Sequence, residues 1–178
     1  QMLVEAFETG GTRYTSLETA LAAAQDGDTI TLRGPLAIEN AEPIEISKNI
    51  ILNLNGHTLS KSREEALLCI LGSNVVIANG TVQNTYSNKP HRAVEVGKFD
   101  HTGAKLTLDN VILKGSMEGG TGTRGRGLFI CSGNEAVVMS GKVIGGIYTE
   151  GALTMSGGSA DLLELGARKD ATPPAIST

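Results

Sequence analysis

Seven basic side chains fall in three loop-like stretches of this sequence. Lys89, His91 and Arg92 lie in TYSNKPHR, Lys98 and His101 in KFDHTGAK, and Arg124 and Arg126 in the glycine-rich run GSMEGGTGTRGRG. Gathered on one face they would bind an anionic sugar, because the planar fork of arginine matches a carboxylate or sulfate in two parallel hydrogen bonds. Elimination from a uronate needs a cation against the acid and a base for the C5 proton, and Lys89 or His91 has the chemistry of that base. The plainer reading is three solvated loops.

Other chemistries find less support. Glycoside hydrolysis needs two carboxylates about 5 to 10 Å apart across the bond, and no Asp-Asp pair or Gly-His-Gly sequence occurs. His57 sits in Asn-Gly-His-Thr, among turn residues, and reads as an outward corner histidine. Calcium takes about six to eight oxygens. Asp26 and Asp28 are close together but belong to a helix stop, and no EF-hand spacing or Gly-Gly-x-Gly-x-Asp repeat is present. His57, His91, His101, Cys69 and Cys131 show no zinc-ligand spacing. GTGTRGRG lacks the Gly-Lys-Ser/Thr ending of a phosphate loop and leads into no helix. Neither a metal nor a cofactor is expected.

Composition narrows the partners. Fifteen Lys and Arg against 19 Asp and Glu leave a net charge of −4, which speaks against nucleic acid or an anionic membrane. No apolar run approaches the roughly 18 residues of a membrane-spanning helix, so no membrane insertion is expected. Three Tyr, three Phe, no Trp and 23 Gly suit a narrow core with tight corners, and poorly suit a broad sugar-stacking platform. The chain opens on Gln1, as a processed or excised piece would, so any targeting segment would lie outside it.

The elements that must position these loops come from a recurring phrase. IILNLNGHTLS from Ile50 alternates apolar and polar residues and then turns a small polar corner; VVIANGTVQ, LTLDNVILK, VVMSGKVIG and LTMSGGSAD repeat it. Aligned on Asn55, Asn79, Asp109, Ser140 and Ser156, the intervals are 24, 30, 31 and 16 residues, the scale of a stacked-repeat architecture. Further apolar strips lie between the corners: ALLCIL, AVEV, GLFIC and GIYTE. Each repeat therefore carries about three short strands. Asn55, Asn79 and Asn110 are placed to tolerate left-handed corners and to form amide ladders between repeats. Cys69 and Cys131 fall two repeats apart, roughly 10 Å at a strand spacing of about 4.8 Å. That exceeds the reach of a disulfide, so free buried thiols are expected.

One helix is expected at about 15–25. Thr15 and Glu18 form a capping box, Leu17, Ala20, Leu21 and Ala24 make one apolar stripe, and Gly27 suits a left-handed stop. It is placed to cover the open front of the stack. Past Leu165 the pattern ends, so 167–178, with Pro173-Pro174, reads as a linker or extended C-terminal arm, and 1–166 as the domain. An uncovered rear end beside such an arm calls for further repeats or a partner chain.

AAAQDGDTITL followed by ISKNIILNLNGHTLS resembles the opening of right-handed parallel β-helix domains of the pectate-lyase-like superfamily. GGIYTEGALTMSGG is similar to glycine-rich repeats of large secreted or surface proteins of Gram-positive gut bacteria. The resemblance covers roughly Thr15 to Ser159. It implies an all-β, right-handed parallel β-helix with an N-terminal capping α-helix, secreted or held at a bacterial surface. Activity does not follow, since that superfamily includes lyases, hydrolases, adhesins and tailspikes. The expected function is a non-catalytic module, a stalk, adhesin or glycan-binding surface facing a host or cell-wall glycan or receptor. The rivals are an enzyme acting on an acidic polysaccharide through the basic loops, and an inert spacer.

Overall fold

Short segments that alternate apolar and polar residues are two-faced, and the chain buries one face of most of them. The computed structural model describes residues 4–116, 125–166 and 174–178. A hairpin of β1 (Phe7–Thr9) and β2 (Thr12–Tyr14) leads into α1 (Leu17–Ala23). The helix starts one residue later than the capping box suggests. Ser16 is the N-cap, accepting from the Thr19 N–H at 3.2 Å, and the Thr19 hydroxyl donates back to the Ser16 carbonyl at 3.0 Å. Glu18 accepts from Asn40 Nδ2 at 2.6 Å and takes no part in the cap. Leu17, Ala20, Leu21 and Ala24 are buried, as their spacing requires.

The helix stop also differs from expectation. Ala24 is the C-cap, in an extended conformation, and Lys48 Nζ donates to the carbonyls of Leu21, Ala22 and Ala24 at 2.6, 3.0 and 2.6 Å. A cation on the last carbonyls satisfies groups that the helix leaves open. Gly27 follows in a separate turn, where Asp28 accepts from the Gln25 N–H and Asp26 from the Asn49 N–H, each at 2.8 Å. Both aspartates are structural.

Strands then follow in threes. β3 (Thr29–Leu32), β4 (Leu36–Ile38) and β5 (Ile44–Ile46) are matched in parallel by β6 (Ile51–Asn53), β7 (Thr58–Lys61) and β8 (Leu68–Ile70). β9 (Val75–Asn84) lies along both β6 and β7, and β10 (Val94–Val96) lies on β8. β11 (Lys105–Lys114) repeats β9, and β12 (Leu128–Ile130) repeats β10. β13 (Glu135–Val138), β14 (Gly141–Ile144) and β15 (Ile147–Thr149) come next, then β16 (Ala152–Met155), β17 (Ser159–Ala160) and β18 (Leu163–Leu165). Within the described residues, antiparallel pairing is confined to β1 with β2 and β3.

The pairings make a 13-stranded sheet and a six-stranded sheet, β5-β8-β10-β12-β15-β18, between which the chain passes repeatedly. The fold is all-β with parallel sheets. The far end of the expected linker joins this order: β19 (Ile176–Ser177) lies parallel to β16, while 167–173 fall outside the described residues. Two residues aligned on a sheet edge carry no periodicity, so the sequence pattern alone misses them.

The corners work as expected in kind but shift in register. Asn55, Asn79 and Asn110 have φ of 53°, 60° and 57°. Asp109 pairs with Ala78, so the third corner is Asn110, one residue beyond the Asp109 of the sequence alignment. The amide ladder runs Asn53–Asn79–Asn110, because Asn79 Nδ2 donates to Asn53 Oδ1 at 3.4 Å and Asn110 Nδ2 to Asn79 Oδ1 at 3.2 Å. Asn55 is not in it; its N–H donates to Asn53 Oδ1 at 3.0 Å. At the next level Ser140 Oγ accepts from the Asn110 N–H at 2.7 Å, and Gly141 (φ 106°) takes over the turn. A Cβ there would strike the Val111 carbonyl oxygen.

Inward residues stack from strand to strand. Ile44, Leu68, Val94, Leu128 and Ile147 form one file, and Ile46, Ile70, Val96, Ile130 and Thr149 another, all buried. Ile30, Leu52, Ile77, Leu108 and Val138 face them from the larger sheet. α1 closes the front, packing on β1, β2 and β5. Among the described residues one cation lies inside: Lys61 is buried and donates to the carbonyls of Ala41 at 2.7 Å and Ala66 at 3.0 Å. Burial lowers its pKa, opposed by Glu65 and Glu42.

Candidate functional site

The middle residue of each strand of the six-stranded sheet points outward, and parallel register lines these residues up. The row runs Glu45, Cys69, Glu95, Phe129, Tyr148, Glu164. Neighbours are roughly 4.8 Å apart, so the row spans about 24 Å. Three of the expected basic residues lie along it, each on a different part.

Arg92 ends the loop that precedes β10. Its guanidinium stands 3.8 Å from the centroid of the Phe129 ring, and Nη1 is 3.2 Å from Glu95 Oε1. Tyr148 stacks on Phe129 with centroids 4.6 Å apart and planes at 21°. An arginine over the ring and a stacked tyrosine cannot share one face, so both faces of Phe129 are occupied from within the protein. Lys98, just past β10, reaches back to Glu45 with Nζ 2.7 Å from Oε1. Arg126, just before β12, pairs with Glu164 and donates to the Gly145 carbonyl at 3.3 Å.

The electrostatics follow from this crowding. Burial pushes the Glu95 carboxyl above its ordinary 4.5, with Arg92 pulling it back. Burial pushes the Cys69 thiol up to about 12, and the neighbouring Glu95 adds to the shift. The hydrogen bond to Glu45 raises the Lys98 pKa. Burial, then the Glu150 carboxylate, raises that of Tyr148. Three cations matched by three carboxylates give a striped face with little net charge.

No protein-family model, curated protein or solved structure matches the chain.

The remaining expected residues serve the loops. His91 Nδ1 accepts from the Glu65 N–H at 3.2 Å, which leaves the ring proton on Nε2, a buried atom without a hydrogen-bond partner among the described residues. The ring also meets Tyr86 edge-on, with centroids 5.4 Å apart. Its backbone N–H donates to Ser116 Oγ at 2.6 Å, and that hydroxyl donates to the Lys89 carbonyl at 3.0 Å. The Lys89 side chain is exposed. His101 Nε2 donates to the Leu71 carbonyl at 2.9 Å, and its own carbonyl accepts from Asn134 Nδ2 at 2.8 Å. It pins two layers at a corner. Arg124 lies outside the described residues.

A groove of about 470 Å³ runs along the corner after the six-stranded sheet, lined by Ser73, Lys105, Asn134, Glu135, Glu150 and Ala152 among others. Of the seven basic residues, none of the six that are described lines it. Among the described residues no three His, Cys, Asp or Glu side chains gather as a metal site, and no helix is long and apolar enough to cross a membrane. Cys69 and Cys131 are buried thiols that are not joined in a disulfide.

Sequence reasoning found these strands but missed the row. The signal was the apolar-x-apolar triplet itself, IEI, LCI, VEV, LFI and LEL, with IYT as a variant ending in threonine, aligned on their central residues. Aligning the corners instead hid it, because loops of unequal length separate corner from triplet.

Proposed function

We propose that this chain is a right-handed parallel β-helix and a non-catalytic module of a secreted or surface-attached bacterial protein. It acts as a stiff stalk whose outer six-stranded face touches a glycan or receptor. The observation that carries this reading is the neutralised row: Arg92, Lys98 and Arg126 each hold a carboxylate of their own chain. A site for an acidic polysaccharide needs cations left over for the ligand, and the Phe129 ring faces that would stack on a sugar are already covered. The return of the chain to the same two sheets supports the winding, and parallel files of buried residues give the stiffness a stalk needs.

The test is a glycan-array screen run beside an assay for unsaturated uronate released from acidic polysaccharides. The expected outcome is no product, with any glycan binding weakened by Tyr148→Ala. Product formation that disappears in Lys89→Ala would overturn the reading in favour of a lyase.

A further inference from the structure

The two ends of the stack differ. At the front, α1 and the β1–β2 hairpin cover the core, and the outermost strand carries exposed Thr12 and Arg13. At the rear the inward files run out. Leu163 continues Ile147, Leu165 continues Thr149 and Ile176 continues Leu153. The three residues they follow are buried, yet Leu163 is 40%, Leu165 58% and Ile176 39% exposed, and Leu162 beside them is 50% exposed. Among the described residues β18 and β19 each have one strand neighbour, so core positions and unpaired backbone meet at one edge. Edge strands are usually blunted by charge, proline or a bulge. β18, Leu-Glu-Leu, has the apolar-x-apolar pattern of the interior strands.

We infer that this edge is an interface with a second copy of the chain, joined tail to tail. Head-to-tail stacking would need an open apolar front, and α1 closes it; a closed pair therefore puts like against like about a two-fold axis. β18 suits such an axis because Leu-Glu-Leu reads the same in both directions. Antiparallel pairing centred on Glu164 sets Leu163 of one copy against Leu165 of the other. An axis normal to the sheet keeps both pairs on the inward side, so the two cores become one. The two Glu164 carboxylates then meet on the outer face, where like charges would repel. Each already carries Arg126, so two arginines and two glutamates form a neutral quartet. Edge strands of three and two residues in each copy place the dimer among weak, concentration-dependent ones. The inference stands on the edge strands and is independent of the stalk reading.

Sedimentation velocity of the full 178-residue chain from about 1 µM to about 1 mM tests it. The expected result is a monomer at the dilute end and a dimer, with nothing larger, at the concentrated end. Leu165→Glu and Leu163→Glu should each raise the dissociation constant at least tenfold and leave the circular-dichroism spectrum unchanged, since both positions are exposed in the monomer. Ile112→Glu, on the outer face of the other sheet, should leave it unaltered. Glu164→Cys should cross-link into a covalent dimer under mild oxidation. A chain monomeric throughout would overturn the inference. So would association that survives both leucine variants, or open-ended polymers.

Discussion

Arg92 lies over Phe129, its guanidinium 3.8 Å from the ring centroid, although 36 residues and a long loop separate the two in the chain. The contact ties the loop before β10 to the strand two places further on in the chain, and Glu95 holds the same guanidinium from below. One arginine thus neutralises a half-buried carboxylate and covers an aromatic face.

Arg92→Ala removes both contacts and leaves Glu95 desolvated without its cation. A cation–π contact of partial exposure contributes about 0.5–1 kcal/mol, and a carboxylate stripped of its partner adds to the loss, so about 1–2 kcal/mol is expected. Arg92→Lys should recover less than half, since an ammonium lacks the flat fork that bridges ring and carboxylate. Urea denaturation of the three proteins at neutral pH checks the order.

Glu95 sets a pH dependence. Its folded pKa lies above the ordinary 4.5, chiefly through burial. For an acid raised on folding, the unfolded chain loses its proton first, so native stability falls as pH rises from the ordinary carboxylate value through the raised one. Glu95→Gln abolishes that fall. The melting temperature of the variant relative to the wild type should therefore climb as pH rises above the ordinary carboxylate value of 4.5 and level off once the folded Glu95 has ionised. A difference that shrinks over this range would contradict burial as the dominant cause.

Asn134 is buried at the corner after β12, where its Oδ1 accepts from the Ala104 N–H at 2.9 Å. Its Nδ2 donates to the carbonyls of His101 at 2.8 Å and Ser132 at 3.0 Å. Asn134→Ala strands a buried N–H and two carbonyls, at about 1–3 kcal/mol for each group left without water. A loss of about 3 kcal/mol is expected in urea denaturation, with faster hydrogen exchange at the Ala104 amide. Asn134→Asp should be no milder, because although the Ala104 bond survives, a buried carboxylate oxygen would face the His101 and Ser132 carbonyls with no proton to donate.

The two thiols should be silent in the native protein. Cys69 and Cys131 are buried, and the Cys69 thiol is pushed up to about 12, leaving almost no thiolate at pH 8. A disulfide-exchange reagent should label neither in buffer and both in denaturant. Prompt labelling of Cys69 would show that the outer row opens readily.

At corner Asn110, Asn110→Ala forces an alanine to φ 57° and removes the bond to Asn79, whereas Asn110→Gly removes the same bond without that strain. The first should therefore cost roughly 1 kcal/mol more than the second. Asn53→Ala, with no positive φ, loses two bonds, from Asn79 Nδ2 and the Asn55 N–H, and should cost about 1–2 kcal/mol. Thermal melts of the three variants check it.

Local alternation determined much of this protein from sequence. Period-two apolar spacing marks the strands from Thr29 to Thr149, and the stripe of Leu17, Ala20, Leu21 and Ala24 marks the helix, because burial acts on residues a few places apart. Asparagine at the corners follows from its tolerance of positive φ, also a single-residue property. Register belongs to the tertiary structure. Whether Asp109 or Asn110 turns the corner, and whether Asn53 or Asn55 joins the ladder, depend on a neighbour 26 to 31 residues away. The candidate site shows the same division. The basic residues were visible one by one, but their partners Glu45, Glu95 and Glu164 lie up to 53 residues off, and pairing across that distance is decided only when the strands align. A sum of formal charges cannot reveal that a cation is already spent, because neutralisation is a matter of ångströms and not of composition.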